Sequence, residues 1–336
     1  MRIDVFSIFR FLATVVSGLI LFAGAAWGTA ALYYTGHRAF AILFGIIGLI
    51  SIVALVLRVR IWSVVSIVAF LVAFGILLAW WSTIKPSNSR DWQPDVARIA
   101  TSTIEGDLVT IRDIRYLDYR TETDYTVRYY DKTYDLRELN SLDLISVYWM
   151  GPAIAHLFVS FGFGDKDHLA ISAELRKEKG ESYSAITGLF KQFELYYVVA
   201  DERDVIRVRT DFRNPQEEVY LYRTRVPPEN VRKLLLDYLK SINHLATEPE
   251  FYNTLTSNCT TNIFLHARAF PNRVHYNWKL LLSGYTPEYM YELGALDTSL
   301  PFEELKRRSH INDRAHAAGD SPDFSQLIRR DLPMPR

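Results

Sequence analysis

Ala155-His156-Leu157-Phe158-Val159-Ser160-Phe161-Gly162-Phe163, then Gly164-Asp165-Lys166-Asp167, then Leu169-Ala170-Ile171-Ser172-Ala173-Glu174-Leu175, is the stretch whose reading sets the fold of the chain's larger part. Apolar and β-branched residues fill both flanks, and a glycine-aspartate turn signal separates them, so the stretch reads as two strands of a hairpin. Counting back from the turn sets Glu174 or its neighbour opposite His156. Side chains two apart share a face of a sheet, so Ser172 and Glu174 are alternatives on the side of His156.

Working outward, Leu108 to Arg112 and Tyr125 to Tyr129 alternate at the strand period within a Thr-, Tyr- and Val-rich region, and Val147 to Trp149 continues it. Phe193 to Val199 and Val205 to Arg209 read as a further pair around the turn Asp201-Glu202-Arg203-Asp204, with Val219 to Tyr222 as one more strand. Helical spacing returns at Pro228 to Leu245, where Val231, Leu234, Leu235, Tyr238 and Leu239 share a face, and again after Asn258. The class expected is α+β, a mostly antiparallel sheet packed on helices.

That last helix carries the chemistry. In Tyr252-Asn253-Thr254-Leu255-Thr256-Ser257-Asn258-Cys259-Thr260-Thr261-Asn262 stands the chain's single cysteine, behind the capping candidates Ser257 and Asn258 and ahead of Ile263, Phe264, Ala267 and Phe270 at helical spacing. A thiol in a first helical turn faces unpaired N–H groups and the positive end of the helix dipole, which favour a thiolate and suit an oxyanion. The bland reading is a cysteine acting as a small buried hydrophobe. A nucleophile needs a base, and of the eight histidines His156 has a carboxylate candidate, Glu174, to orient it. Ser172 is the nearest rival orienter, with Asn253 and Asn258 as candidates from the cysteine side, and Asn258, Thr260 and the Cys259 amide are candidate oxyanion donors. The alternative is a strand-end histidine with Glu174 paired to Arg176.

The 336 residues carry 38 basic and 38 acidic side chains, so charge gives no sign of a nucleic-acid partner. One cysteine excludes an internal disulfide and a multi-cysteine metal site. No cofactor motif is found: there is no Gly-x-Ser-x-Gly, no His-Glu-x-x-His and no phosphate-cradling glycine loop, and no paired spacing supports a metal at His156 and His168.

The first quarter is different in kind. Leu12 to Tyr34, Ala39 to Leu57 and Trp62 to Trp81 each approach the roughly 20 residues that cross a bilayer core. Arg2 and Arg10 precede the first segment and Arg58 and Arg60 join the second to the third, against Arg38 between the first two, which predicts a cytoplasmic N-terminus and everything after Trp81 outside. The organisation expected is therefore a three-helix membrane domain over 1–82, a linker over 83–95, a soluble domain over 96–311 and a polar, poorly ordered tail over 312–336. In a Gram-negative cell the soluble domain would be periplasmic, anchored in the inner membrane.

The hairpin with its continuation to Ser184, Tyr196-Tyr197-Val198-Val199-Ala200-Asp201-Glu202-Arg203-Asp204, Tyr252-Asn253-Thr254 and Asn258-Cys259-Thr260-Thr261 together resemble the Lnb N-terminal periplasmic domain family, over roughly Val109 to Ile311. The resemblance implies a circularly permuted, papain-like fold of the NlpC type, with the histidine strand ahead of the cysteine helix. It also implies acyl transfer to the amino terminus of bacterial lipoproteins; the leading expectation is a membrane-anchored acyltransferase with a phospholipid as donor and the lipoprotein as acceptor. Two other outcomes fit the same residues: a cysteine hydrolase cutting envelope peptides or lipids, and a module that binds envelope partners without catalysis.

Overall fold

The computed structural model describes residues 5–268 and 275–335; Arg2, Phe270 and the side chain of Arg60 lie outside them. The chain divides into two compact units, Met1–Pro86 with Ser184–Gln192, and Ser87–Tyr183 with Phe193–Arg336.

The first unit is built on three helices, α1 (Val5–Tyr34), α2 (Arg38–Val56) and α3 (Arg60–Thr83). The spans Ile8–Tyr34, Arg38–Val56 and Ile61–Thr83 are long and apolar enough to cross a membrane. Their shared interior is made by residues such as Ala25, Phe44, Phe70 and Leu77. Leu19, Ile20 and Ile61 are exposed, a surface suited to hydrocarbon rather than water. Ser51 lies in this interior and satisfies its hydroxyl on the Ser66 carbonyl at 2.9 Å. Within the same unit Phe190 stacks on Tyr34 with centroids 5.2 Å apart, and Lys191 Nζ donates to the Trp81 carbonyl at 2.9 Å.

The second unit is a mixed sheet packed between helices, an α+β arrangement. Its strands are β1 (Thr101–Glu105), β2 (Leu108–Tyr119), β3 (Tyr125–Asp135), β4 (Leu139–Tyr148), β5 (Ala155–Phe163), β6 (Asp167–Arg176), β7 (Glu194–Ala200), β8 (Glu218–Arg223) and the short β9 (Glu250–Phe251). They run in the order β1-β2-β7-β6-β5-β4-β8, with β3 on β2 and β9 on β7. Every pairing is antiparallel except the bridge from Arg115 to Ala200. The β5–β6 hairpin closes where expected, because Gly164 takes φ 61°, a conformation glycine adopts without a Cβ clash.

Alternation along the strands gives the sheet two apolar faces. Leu144, Leu157, Val159, Phe161 and Ile171 face α5 (Pro228–Thr247), whose buried stripe runs from Val231 through Leu235, Tyr238 and Ile242 to Leu245. The same side carries α6 (Cys259–Ala267), α7 (Trp278–Leu281), α8 (Thr286–Glu292) and α9 (Phe302–Ser309), which complete that layer of the domain. Ile145, Val147, Phe158, Ala170 and Val198 face the other way. That second face is covered by α4 (Glu202–Val205), α10 (Asn312–Ala318) and α11 (Phe324–Arg329).

Here the structure departs from three expectations. Val205 to Arg209 is not a strand: Asp201 accepts from the Arg203 amide at 2.9 Å and starts α4, and Asp204 is drawn inward by Arg115, which grips both its oxygens at 2.8 and 2.9 Å. A π-helical turn over Val208–Phe212 follows. Residues 312–336, expected as a loose polar tail, instead bury Ala315, Phe324, Ile328 and Leu332 against the second face, which would otherwise be open to water. Most of the 83–95 linker also belongs to the folded unit: Trp92 is buried under the Arg176 guanidinium, 4.2 Å from its ring centroid, and Asn88 Nδ2 donates to the Leu245 carbonyl at 2.8 Å. Arg176 is thereby committed to Trp92 and to the carbonyls of Val96 and Ala97, not to Glu174.

Candidate active site

The loop before α6 is built by its own side chains. Asn253 Oδ1 accepts from the amides of Leu255 and Thr256 at 3.0 and 3.1 Å, turning the chain so that Asn253 and Ser257 pair. Asn258 then caps α6. Its Oδ1 accepts from the Thr261 amide at 2.9 Å, the Thr261 hydroxyl accepts from the Asn258 amide at 2.8 Å, and its Nδ2 donates to the Thr254 carbonyl at 2.7 Å. Both ends of the Asn258 amide are thus engaged in holding the helix start, and Asn253 is spent on the loop. Cys259 becomes the first helical residue, where the leading N–H groups have no acceptor inside the helix.

The other half of the site comes from the sheet. β5 and β6 pair from Phe163 with Asp167 only as far as Val159 with Ile171, while β5 stays on β4 down to Ala155. Beyond Val159 the two strands part, and α6 packs on both of them there. The Leu157 amide is left to face the Cys259 sulfur, and His156 projects from the same strand end.

His156 Nε2 lies 2.9 Å from Ser172 Oγ and 2.9 Å from Glu174 Oε1, and the Ser172 hydroxyl donates to the same Glu174 oxygen at 2.9 Å. Both ring contacts use Nε2, so Nδ1 is the nitrogen left for the thiol. Arg209 approaches Glu174 Oε1 at 3.4 Å, with its Nη1 bonded to the Val205 carbonyl and its guanidinium 5.4 Å from the Phe158 ring centroid. Sequence reasoning misses Arg209, because the region alternates like a strand and nothing local marks its partner 35 residues away. Thr260 Oγ1 sits 3.9 Å from Cys259 Sγ. Tyr252 is buried beside the thiol; burial, then the Cys259 charge, pushes its phenol pKa up.

The electrostatics favour a charged pair. Burial alone would raise the Cys259 pKa, but the His156 charge, its hydrogen bond and the Leu157 amide outweigh it and bring the thiol below its ordinary value. Burial likewise opposes the charged imidazole, yet Glu174 and then the Cys259 thiolate lift His156 from 6.5 to about 9. Glu174 resists its own burial through His156, Arg209 and Ser172 and is held well below the usual carboxylate range. The shifts of Cys259 and His156 both favour a thiolate beside an imidazolium over the neutral pair.

A second buried network anchors the back of α6. Asn262 Nδ2 donates to the Asn258 carbonyl at 2.8 Å, Tyr197 OH lies 3.0 Å from Asn262 Oδ1 and 2.8 Å from His266 Nε2, and His266 Nδ1 meets Asp237 Oδ2 at 2.6 Å. Strand β7 and helix α5 thereby fix the axis of α6 and the position of its first residue.

These contacts predict how Glu174 variants behave. Removing the carboxylate charge in either Glu174→Gln or Glu174→Ala should draw the upper pH limit for the ion pair, set at about 9 by His156, down toward neutral. Only Glu174→Ala also takes away one of the two groups on Nε2 and leaves Ser172 alone to hold the ring, so its plateau rate of Cys259 alkylation should drop by roughly tenfold, while Glu174→Gln stays near wild type. The pH profile of iodoacetamide labelling, with a melting curve for each variant, checks this. An unchanged plateau in folded Glu174→Ala would assign the orienting role to Ser172 or to no third residue.

Residues 125–286 match the family model described as the Lnb N-terminal periplasmic domain. The matched segment contains His156, Ser172, Glu174 and Cys259, and leaves out the three apolar helices. No curated protein and no solved structure matches the chain.

Proposed function

We propose, since residues 125–286 belong to the Lnb N-terminal periplasmic domain family, that this membrane-anchored envelope protein is a cysteine acyltransferase. It would take an acyl chain from a phospholipid and pass it to the N-terminal amine of lipoproteins. The observation that carries the reading is the placement of Cys259 at the start of α6 against His156, in a chain that also holds three apolar helices able to span a bilayer. The domain is read as a permuted papain-like fold of the NlpC type, in the bacterial inner membrane with the N-terminus cytoplasmic and the site in the periplasm.

In this scheme the Cys259 thiolate attacks the carbonyl carbon of a phospholipid ester. The backbone amide of Cys259, with Thr260 beside it, stabilises the oxyanion. The C–O bond breaks, His156 gives its proton to the departing lysophospholipid alkoxide, and an acyl thioester remains on Cys259. The lipoprotein amine then attacks the thioester, neutral His156 accepts the amine proton, and the thiolate returns with the C–S bond broken. Glu174 keeps the ring oriented and favours its charged form.

A second route from the same thioester is hydrolysis, in which water replaces the amine. The full-length chain in vesicles, supplied with phospholipid and a synthetic diacylglyceryl-cysteine peptide, separates the two. The reading predicts a triacylated peptide and an equal amount of lysophospholipid, both lost in Cys259→Ala. Release of peptide fragments from peptidoglycan with no acyl transfer would replace the transferase by a hydrolase.

A further inference from the structure

Helix α7 turns an apolar side outward. Its Lys279 is buried, with Nζ donating to Glu292 at 2.6 Å and paired with Glu288 at 3.1 Å, and Leu280 is buried beside it. These anchors fix the rotation of the helix. Trp278 and Leu281, each 54% exposed, and Leu282, at spacings i, i+3 and i+4, therefore stay on its outer face. A second apolar pair, Trp149 and the 68% exposed Met150, stands on the loop between β4 and β5.

The two segments are locked together. The Gly284 amide donates to the Ala153 carbonyl at 3.0 Å, the Ala155 amide to the Ser283 hydroxyl at 2.9 Å, and Tyr148 OH to the Gly284 carbonyl at 2.7 Å. A Cβ on Gly284 would fall 2.1 Å from the Pro152 carbonyl oxygen, so glycine is required for this approach. The bonds bring the five apolar side chains into one neighbourhood that ends one residue short of His156. Single exposed apolar residues are ordinary, but a group of large ones on a rigid frame marks a surface that meets a partner or a membrane.

The chain itself selects the membrane. Helix α3 ends at Thr83, and Ser87 is already part of the second unit, its amide donating to Glu194 Oε1 at 3.1 Å. Ile84, Lys85 and Pro86 between them let the two ends stand at most about 14 Å apart. A second link is as short: Lys191, bonded to the Trp81 carbonyl, is two residues from Phe193, whose carbonyl accepts from the Tyr252 amide at 2.9 Å. With three helices able to span a bilayer in the same chain, the second unit is held at the lipid surface.

We propose that Trp149, Met150, Trp278, Leu281 and Leu282 rest in the headgroup region of the bilayer, so that the His156 end of the site borders lipid. The proposal rests on the three spans and not on the acyl-transfer reading, to which it would supply membrane lipid as the substrate pool.

Cys259 is the chain's only cysteine, so Cys259→Ser gives a full-length background in which a nitroxide can be placed at one position. Met150→Cys and Leu281→Cys mark the patch, and Lys166→Cys, in the turn at the far end of β5, is the control. In phospholipid vesicles, collisions with oxygen, which concentrates in lipid, and with a water-soluble nickel chelate report depth. At Met150 and Leu281 the chelate should collide several-fold less often than at Lys166, with oxygen collisions equal or more frequent. A melting temperature like that of the unlabelled background checks each fold, and if one patch label misfolds the other decides. Chelate access at the patch equal to that at Lys166 would leave it in water and overturn the proposal. Shielding from both reagents that fades as lipid is added per protein would assign the patch to a second copy of the chain and overturn it as well. Neither readout uses catalysis, so failure of the acyltransferase reading would leave the proposal standing.

Discussion

Replacing His156 by alanine should slow iodoacetamide alkylation of Cys259 at pH 7 by roughly tenfold or more. An ordinary thiol is only a few per cent ionised at that pH, so a partner that lowers the thiol pKa, as His156 does here, raises the reactive fraction by at most roughly thirtyfold. The lower basicity of the paired thiolate returns part of that factor. Burial then works against the variant, because without a cation beside it the thiol moves above its ordinary value instead of below it. In wild type the rate should climb at a pH below the normal thiol range and change again as His156 titrates at about 9. In His156→Ala a single rise should appear, shifted to higher pH. Equal rates at pH 7 in the two proteins would mean that the helix start alone activates the cysteine.

Arg329→Ala should cost the second unit about 3–5 kcal/mol, the range found when one partner of a buried charge pair is removed. Arg329 bonds Asp143 at 2.8 Å and both oxygens of Glu202 at 2.6 and 2.7 Å, and all three side chains are at least nine-tenths buried. Without it, Glu202 keeps, among the described residues, the Ser160 hydroxyl as a hydrogen-bond partner at 2.5 Å and the influence of His168. At roughly 2–4 °C per kcal/mol for a domain of this size, the melting temperature should fall by about 6–20 °C. Glu202 supplies a pH signature. Burial would raise its pKa, but Arg329 outweighs this and holds it at about 2, below the unfolded value of 4.5. Its stabilising contribution is therefore complete above pH 4.5 and lost as pH falls toward 2. In Arg329→Ala the unpaired carboxyl titrates above its ordinary value, so the gap between variant and wild type should narrow below pH 4.5. A melting temperature within two degrees of wild type at pH 7 would show that α11 does not secure the second face of the sheet.

What could be read in the sequence was what neighbouring residues determine. The Gly164 turn fixes the β5–β6 hairpin, and with it the face shared by His156, Ser172 and Glu174, because a hairpin converts sequence separation into register. Asn258 and Thr261 mark the start of α6 by local capping chemistry. The three apolar helices follow from length and composition. Interactions that depend on distant partners left no such mark. Val205 to Arg209 has the alternation of a strand; beyond the local Asp201 cap, the grip of Arg115 on Asp204 and the inward turn of Arg209 toward Glu174 hold it in a helical course. Arg329 looks like one more charge in a polar tail, since Asp143 and Glu202 lie 186 and 127 residues away.

If Cys259 carries an acyl group during turnover, mass spectrometry of the full-length protein isolated from membranes should find a fatty-acyl adduct on Cys259 that hydroxylamine removes, that is absent in Cys259→Ala, and that disappears when a lipopeptide amine is supplied. A wild-type protein that stays unmodified in phospholipid vesicles without acceptor, while its thiol still reacts rapidly with iodoacetamide, would contradict it.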